Sequence, residues 1–259
     1  MSARTPTVSY LDAENQMLGA AHGVDYAYRS TGDPGAPPLV LLQHFRGNLD
    51  NWDPVLIDAV ASNRRVITFD NRGVAASSGT TPNTIAQMAV DAIDLIEALE
   101  VGAVDLLGFS IGSFVAQEIA LIRPSIVRKL VLASSAPQGV SGMHGCAPEV
   151  IGAVGKPETS PAEYIGVFFA RSETSRAAEQ EAAGRIFGAR SVDRDAPTSW
   201  QTPLAQYDAV CAWGQPNHSM LERVSAIDMP VFVADAAHGF LFQHHAEFAA
   251  DVHAFLTGA

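Results

Sequence analysis

The chain has 259 residues and a mass of 27.4 kDa, which suits one large α/β domain that carries a modest insertion. Apolar residues make up 47% of the chain and charged residues 17%, so it can bury a sizeable core, and general disorder is excluded. Sixteen Lys and Arg against 28 Asp and Glu give a net charge of −12, which repels nucleic-acid phosphates and anionic lipid. We therefore expect a small-molecule substrate and neither a nucleic-acid nor a membrane partner, and we leave a homodimer open.

The two cysteines, Cys146 and Cys211, are far apart in the sequence, and neither belongs to a C-x-x-C pair. This excludes the zinc and redox motifs built on such pairs, and a core of this size does not need disulfides. Residues 1–6 contain no apolar segment typical of a signal peptide, and every apolar run is shorter than the ~20 residues of a membrane span. The sequence thus predicts a cytoplasmic protein.

From residue 38 onward, short apolar runs alternate with helical patterns. Five runs are typical of strands buried on both faces: 38–42, 65–69, 104–107, 129–133 and 230–234. Three segments have the periodicity of amphipathic helices: 84–99, 111–122 and 246–256. This order predicts a mostly parallel twisted sheet with helices on both faces.

Residues 137–215 interrupt the alternation. They contain helical patterns, such as 161–170 and 173–190, but no convincing strand. We predict a helical cap insertion at 137–215, and a core domain made of residues 1–136 and 216–259.

The strongest chemical signal is the G-x-S-x-G motif at residues 108–112, centred on Ser110. It lies between a predicted strand and a predicted helix, which is the context of a nucleophile elbow. Glycines at both ends remove side chains that would collide in so tight a turn. The amide of Ile111 lies at the helix N-terminus, where negative charge is stabilised. The motif therefore predicts Ser110 as a nucleophile.

A serine hydroxyl needs a general base, and His238 is the best placed of the eight histidines. It follows the last strand-like run, and parallel α/β proteins keep their sites in loops at the carboxyl ends of strands. The other candidates near the C-terminus, His244, His245 and His253, are better explained as surface residues. We predict His238 as the base.

A second oxyanion donor should come from the loop that follows the strand at 38–42. Counting from the end of that strand, the amide of Phe45 is the best candidate, and the amide of Arg46 is the next. Together with the amide of Ile111 it forms a predicted oxyanion hole.

With these motifs in place, the chain resembles the α/β-hydrolase fold superfamily, in particular bacterial cap-bearing hydrolases of the haloperoxidase-like esterase branch. The resemblance rests on four segments: the loop 43–47, the turn 69–73, the elbow 108–112 and the Ala-His-Gly at 237–239. It implies the roles given above for Ser110, His238, Phe45 and Ile111, and neither a cofactor nor a metal. It assigns Asp70 and Arg72 to a structural turn.

The chain departs from the family at the catalytic acid. In the family an Asp follows the penultimate strand and precedes a helix and the last strand. Here Ala234, which ends a run similar to the penultimate strand, is followed directly by Asp235, although a strand–helix–strand unit takes ~30 residues. Either the last strand–helix unit is shortened, or it is missing from the sequence. Asp235 is only three residues from His238 and is not expected to orient it, so we name no acid.

The sequence therefore predicts a serine hydrolase that cleaves a small ester, lactone or related carbonyl through an acyl-enzyme. We assign substrate contacts to His44, Arg46 and Trp213; the alternative is that the first two shape the pocket rim and that the tryptophan belongs to the core of the cap. Two other functions stay open. One is a cofactor-free perhydrolase or haloperoxidase-like activity, and the other, suggested by the missing acid, is a catalytically impaired binding protein with a hydrolase fold.

Overall fold

The computed structural model describes residues 8–143, 145 and 147–258. The strands in this part of the chain are β1 Gln16–Gly19, β2 Asp25–Gly32, β3 Leu39–Leu42, β4 Arg65–Phe69, β5 Val104–Phe109, β6 Val127–Ala133 and β7 Val231–Ala234. The helices are α1 Pro54–Val60, α2 Ile85–Ala98, α3 Ile111–Ile122, α4 Pro148–Val154, α5 Pro161–Gly166, α6 Glu173–Ala183, α7 Gln201–Trp213, α8 His218–Glu222, α9 Phe240–Gln243 and α10 His245–Thr257. None of these helices is long and apolar enough to cross a bilayer. Residues 1–7 and Cys146, on which two sequence expectations rest, lie outside the described residues.

All seven strands belong to one sheet, in the order β1-β2-β4-β3-β5-β6-β7. The pairs β1–β2 and β2–β4 are antiparallel, and the other four neighbouring pairs are parallel. The predicted fold class, a mostly parallel sheet with helices on both faces, is confirmed. Because parallel strands end at the same edge, the loops after β3, β5, β6 and β7 meet there.

The sheet separates two apolar cores, and alternate residues of each strand enter opposite ones. In β3, Leu39 and Leu41 face one core, and Val40 and Leu42 face the other. Helices α1 and α10 cover the first face, whereas α2 and α3 cover the second. The first core also receives apolar side chains from the helices between β6 and β7, and this contact fixes those helices above the sheet.

The two antiparallel strands β1 and β2 are absent from the sequence prediction. Their sequences mix polar and apolar residues, and β2 contains Arg29, which is 1% exposed. A buried arginine is unexpected in a strand unless it is paired. Here its guanidinium donates to Asp50 at 2.6 Å, and this partner lies 21 residues further along the chain.

The segment between β6 and β7 contains the helices α4 to α8 and, in its described part, no strand. Three of its helices, α5, α6 and α8, start at a residue whose side chain caps the helix; at α5, Ser160 and Glu163 form a capping box. The helical character expected for this insertion is therefore observed. The division of the chain into a core domain and a cap domain remains a prediction.

Strand β7 is the last strand of the sheet and has one neighbour, β6. No other strand among the described residues pairs with its outer edge, and Val231 and Val233 are 39% and 60% exposed. The chain passes from β7 into α9 and α10 without a further strand among the described residues, as expected whether the last unit is shortened or missing from the sequence.

Candidate active site

Ser110 lies at a sharp turn between β5 and α3. The strand ends at Phe109 and the helix begins at Ile111, so that Ser110 occupies the cap position. Its φ of 56° and ψ of −124° form a combination that side-chain-bearing residues rarely adopt. Such strain persists where the surroundings impose it, often at functional sites. The amide of Ser110 donates to the Ala133 carbonyl oxygen on β6 at 3.0 Å, which anchors the turn to the sheet.

The two glycines of the motif are required by packing. A β-carbon on Gly112 would lie 2.1 Å from the carbonyl oxygen of Leu42 in β3. A β-carbon on Gly108 would lie 2.4 Å from the carbonyl oxygen of Gly112. Both distances are far inside van der Waals contact, so only glycine allows α3 to begin this close to β3 and β5.

Within the described residues, two backbone amides of the loops next to Ser110 have no hydrogen-bond acceptor of their own. Ile111 is the first residue of α3, and the first amides of a helix have no intrahelical acceptor. The Phe45 amide has no acceptor in the described part of the chain, whereas the neighbouring amide of Arg46 donates to Gln206 Oε1 at 2.7 Å. Phe45 and Ile111 line the same cavity as Ser110. Of the two loop amides considered, that of Phe45 is therefore the one available to an oxyanion.

The imidazole of His238 packs between aromatic rings. Its centroid lies 5.4 Å from that of Phe168, at an interplanar angle of 29°, and 5.4 Å from that of Phe109. The residue keeps a solvent-exposed surface, but the crowding around the ring desolvates it. This desolvation lowers the pKa of His238, while the carboxylate of Asp235 acts to raise that pKa. At neutral pH the ring is therefore neutral, which is the form that accepts a proton.

The histidine segment, residues 235–239, is held by hydrogen bonds to two other parts of the chain. Ser134, just after β6, has a φ of 50° and donates from Oγ to the carbonyl oxygen of His238 at 3.0 Å. From the helical segment, the carbonyl oxygen of Phe168 accepts the amide of Gly239 at 2.6 Å. A β-carbon on Gly239 would lie 2.7 Å from Cβ of Phe168. The position of the imidazole thus depends on the hydroxyl just after β6 and on the carbonyl oxygen in the insertion.

Ser110, His238 and Asp235 line one cavity. Within the described residues, no hydrogen bond joins the Ser110 hydroxyl to the imidazole, and none joins the imidazole to a carboxylate. Catalytic hydrogen bonds are often long before a substrate binds, so this geometry does not exclude proton transfer between the two side chains. Asp235 acts on the imidazole through space.

The cavity has a volume of about 690 Å³ and predominantly apolar walls. Its apolar lining comes mainly from the segment between β6 and β7, including Met143, Val150, Ile151, Val154, Val167, Phe168, Trp200, Pro203, Leu204 and Val210. Polar groups gather at the end of the cavity where the loops after β5, β6 and β7 meet, with Ser110, Ser134, Ser135, Asp235 and His238. Across the described residues, no group of three or more His, Cys, Asp or Glu side chains fits a metal ion.

His44, expected to touch substrate, lies instead in the core, where it is 1% exposed. Its Nε2 is 2.7 Å from the hydroxyl of Tyr164, and its ring is surrounded by aromatic side chains, among them Phe109 and Phe168. Burial lowers the pKa of His44 to about 3, so the ring is neutral. Because the Tyr164 hydroxyl also donates to the Phe45 carbonyl oxygen at 3.1 Å, His44 helps to hold the loop after β3.

Arg46, the second residue expected to touch substrate, ties that loop to the insertion. Its Nη1 donates to the carbonyl oxygens of Val154 and Lys156 at 2.7 and 3.0 Å and to Thr159 Oγ1 at 3.0 Å. Its guanidinium lies 5.9 Å from the centre of the Trp200 ring. These contacts join the loop to the insertion, and Arg46 is absent from the described lining of the cavity, so the structure gives Arg46 a structural role.

Trp213, the third residue expected to touch substrate, is also a core residue and is 3% exposed. Its ring stacks on Phe114 with centroids 5.3 Å apart, and its Nε1 donates to the Ala136 carbonyl oxygen at 3.1 Å. Phe114, which lines the cavity, therefore stands where Trp213 was expected. The stacked pair fixes the end of α7 against α3.

Sequence reasoning missed Tyr164, Gln206 and Ser134, which position the loops around Ser110. The first two lie in the insertion, and nothing in their local sequence indicates a partner more than 100 residues away. Ser134 carried a weak signal, because it directly follows a predicted buried strand whose carboxyl end faces the site.

The comparisons with known proteins identify the family and the fold of the chain. Residues 37–246 match the sequence pattern of the α/β-hydrolase fold family. An α/β-hydrolase fold protein from Chitinophaga pinensis is 33% identical and superposes with a TM-score of 0.84, over 96% of this chain and 99% of that one. An enol-lactonase from Burkholderia xenovorans, at 16% identity and a TM-score of 0.69, shares the fold over 93% of this chain and 100% of that one.

Curated relatives match over a shorter stretch. A putative carbamate hydrolase, RutD, from Rhizobium rhizogenes is 32% identical over 113 residues, which is 43% of this chain and 40% of that protein. A putative non-heme bromoperoxidase, BpoC, from Mycobacterium tuberculosis is 35% identical over 108 residues, which is 41% of this chain and 40% of that protein. The chain thus matches about two fifths of the length of these relatives. From the family match, which covers most of the chain, and from the elbow at Ser110, we conclude that the protein belongs to the α/β-hydrolase fold family.

Proposed function

We propose that the protein is a serine hydrolase that cleaves a small ester, lactone or related carbonyl compound through an acyl-enzyme. The observation that carries this proposal is the shared cavity, which Ser110, His238, Phe45 and Ile111 all line. Membership of a hydrolase family supports it.

In the first half of the reaction, Ser110 Oγ attacks the carbonyl carbon while the neutral imidazole of His238 takes the hydroxyl proton. The carbonyl oxygen becomes an oxyanion, which the amides of Phe45 and Ile111 stabilise. The loss of one such donor typically raises the barrier by about 2.7–4 kcal/mol. The oxyanion then collapses, the bond to the leaving group breaks, and His238 returns its proton to that group.

In the second half, a water molecule attacks the ester formed on Ser110. His238 takes the proton of the water, and the amides of Phe45 and Ile111 again hold the oxyanion. Collapse releases the carboxylic acid and restores the serine hydroxyl. Asp235 stabilises the imidazolium formed in both halves through its charge.

A fluorophosphonate probe tests the nucleophile. We expect the folded protein to be labelled on one serine, and Ser110→Ala to abolish labelling and to lower hydrolysis of p-nitrophenyl acetate by ~10⁴-fold or more. Ser135→Ala is the matched control, because Ser135 lines the same cavity and is expected to keep both activities. Labelling that survives in Ser110→Ala, or its absence from the folded parent, would refute the proposal; in the latter case, binding of esters without turnover would favour a binding protein.

A second candidate, perhydrolysis, is suggested by the similarity to a protein named as a non-heme bromoperoxidase. In this reaction hydrogen peroxide replaces water in attacking the acyl-enzyme, and a peracid leaves. The rate of peracid formation from acetate and hydrogen peroxide, compared with the rate of ester hydrolysis on the same enzyme, separates the two activities.

A further inference from the structure

The cavity around Ser110 has no lysine or arginine among the described residues of its wall. The sequence has none between Lys129 and Lys156, the stretch that contributes Ser134 and Ile151 to the wall. The charged group at its polar end is the carboxylate of Asp235.

The loop after β3 supplies one cation, Arg46, but this residue is not part of the described lining of the cavity. Its Nη1 donates hydrogen bonds to two carbonyl oxygens and to a hydroxyl of the insertion, at 2.7 to 3.0 Å. Lys156, at the end of the same stretch, pairs with Glu163 on the surface. A carboxylate that entered the cavity would therefore meet no lysine or arginine side chain on its described wall.

An unpaired carboxylate is costly to bury in apolar surroundings, and a nearby Asp235 adds like-charge repulsion. The net charge of −12 also slows the approach of anions from solution. The wall itself offers large apolar surfaces, including Phe114, Phe168 and Trp200.

We propose that the substrate is an uncharged ester or lactone with an apolar body, and that the enzyme discriminates against analogues that carry a carboxylate into the cavity. The predicted difference in kcat/KM rests on the proposed function. The predicted difference in binding does not depend on that function, because the cavity and its charges are present without catalysis.

Three p-nitrophenyl esters with one leaving group form the test: the pentanoate, the glutarate half-ester, in which a carboxylate replaces the terminal methyl, and the methyl ester of that half-ester. We expect kcat/KM for the half-ester to be about 100-fold or more below that for the pentanoate, because its carboxylate stays unpaired. The neutral methyl ester should stay within about 10-fold of the pentanoate, which separates charge from size. Similar values for the half-ester and the pentanoate would overturn the inference.

An added cation should relax this selectivity. Ile151 lines the cavity and is 41% exposed, so Ile151→Lys can place an ammonium at the wall without burying it fully. We expect this variant to raise kcat/KM for the half-ester by about 10-fold relative to the pentanoate, and the control Ile151→Met to leave the ratio unchanged. An unchanged ratio in Ile151→Lys would count against a charge-based exclusion.

Binding to Ser110→Ala tests the inference without turnover. We expect the methyl ester to raise the melting temperature of this variant and the half-ester to have no effect at the same concentration. If the parent hydrolyses no ester, the proposed function fails, but the binding comparison still decides this inference: equal stabilisation by both compounds would refute it.

Discussion

The elbow at Ser110 and the segment at His238 supply the two reacting side chains, but they are built in different ways. The elbow lies between a fully buried strand and a largely buried helix, and neighbouring backbone atoms pack too closely against its glycines to admit a side chain. The histidine segment follows β7, which has an open edge, and most of its residues are exposed. It is held by one hydroxyl and by one carbonyl of the insertion.

This difference indicates that the position of the nucleophile is a property of the sheet, whereas the position of the base depends on a few contacts. A change at the elbow should therefore disturb folding as well as catalysis. A change at the histidine segment should alter catalysis while leaving the fold nearly intact.

The largest effect is expected from Gly112→Ala. The added methyl group would lie 2.1 Å from the Leu42 carbonyl oxygen, so α3 must shift away from β3. We expect a loss of about 3 kcal/mol or more in the free energy of unfolding, together with a loss of fluorophosphonate labelling. Urea denaturation measures the first quantity.

Gly152→Ala is the control for this substitution, because no atom lies within 4 Å of the added methyl group. Gly152 lies within α4, where alanine is favoured over glycine by roughly 0.5–1 kcal/mol. Equal destabilisation by both substitutions would show that the elbow is not specially constrained.

Ser134→Ala tests how the histidine segment is held. It removes the hydrogen bond to the His238 carbonyl oxygen, and we expect the rate constant of fluorophosphonate labelling to fall by about 10-fold because the base is less well positioned. The free energy of unfolding should fall by only about 1 kcal/mol. A purely structural effect would reduce the labelled fraction and leave the rate constant of the folded molecules unchanged.

Ser135→Ala again serves as the control. The hydroxyl of Ser135 accepts a hydrogen bond from Gln117, which keeps two carbonyl acceptors without it. We expect its labelling rate to match that of the parent. A parental rate in Ser134→Ala as well would remove this serine from the positioning of the base.

The smallest effect is expected from Asp235→Asn. Desolvation places the pKa of His238 below the ordinary histidine value of about 6.5, so kcat/KM should fall only as the pH drops below that value and the ring becomes protonated. Asp235 opposes this lowering, so its neutralisation should move the acid limb to still lower pH and reduce kcat/KM at the plateau a few-fold. Because Asp235 is exposed, the shift should shrink in 1 M salt. Superimposable pH profiles at low salt would show that its carboxylate does not act on the base.

The sequence allowed the central sheet to be predicted because β3 to β6 are buried on both faces, which requires unbroken apolar runs. It did not reveal β2, because the suitability of Arg29 for a buried strand depends on Asp50, and the local pattern does not contain that pair. Strand β1 was missed for a related reason, since three of its four residues are exposed.

At the site, the sequence indicated the tight backbone turn, but it did not indicate which side chains point into the cavity and which point into the core. Glycines around Ser110 indicate a tight turn wherever the chain places it. His44 and Trp213 are residue types found both in binding sites and in cores, and only the packing of Tyr164 and Phe114 against them decides which applies. The partners that hold the loops come from the insertion, at sequence distances that local patterns cannot encode.

The open flank of β7 has a consequence for the protein in solution. In the part of the chain that the structure describes, no strand pairs with the outer edge of β7, and Val233 is 60% exposed. No lysine or proline interrupts the four residues Val231–Ala234, although such residues commonly protect sheet edges from aggregation. Upon heating or concentration, intermolecular β-pairing should therefore start at this flank, and a lysine in place of Val233 should delay precipitation without touching the cavity.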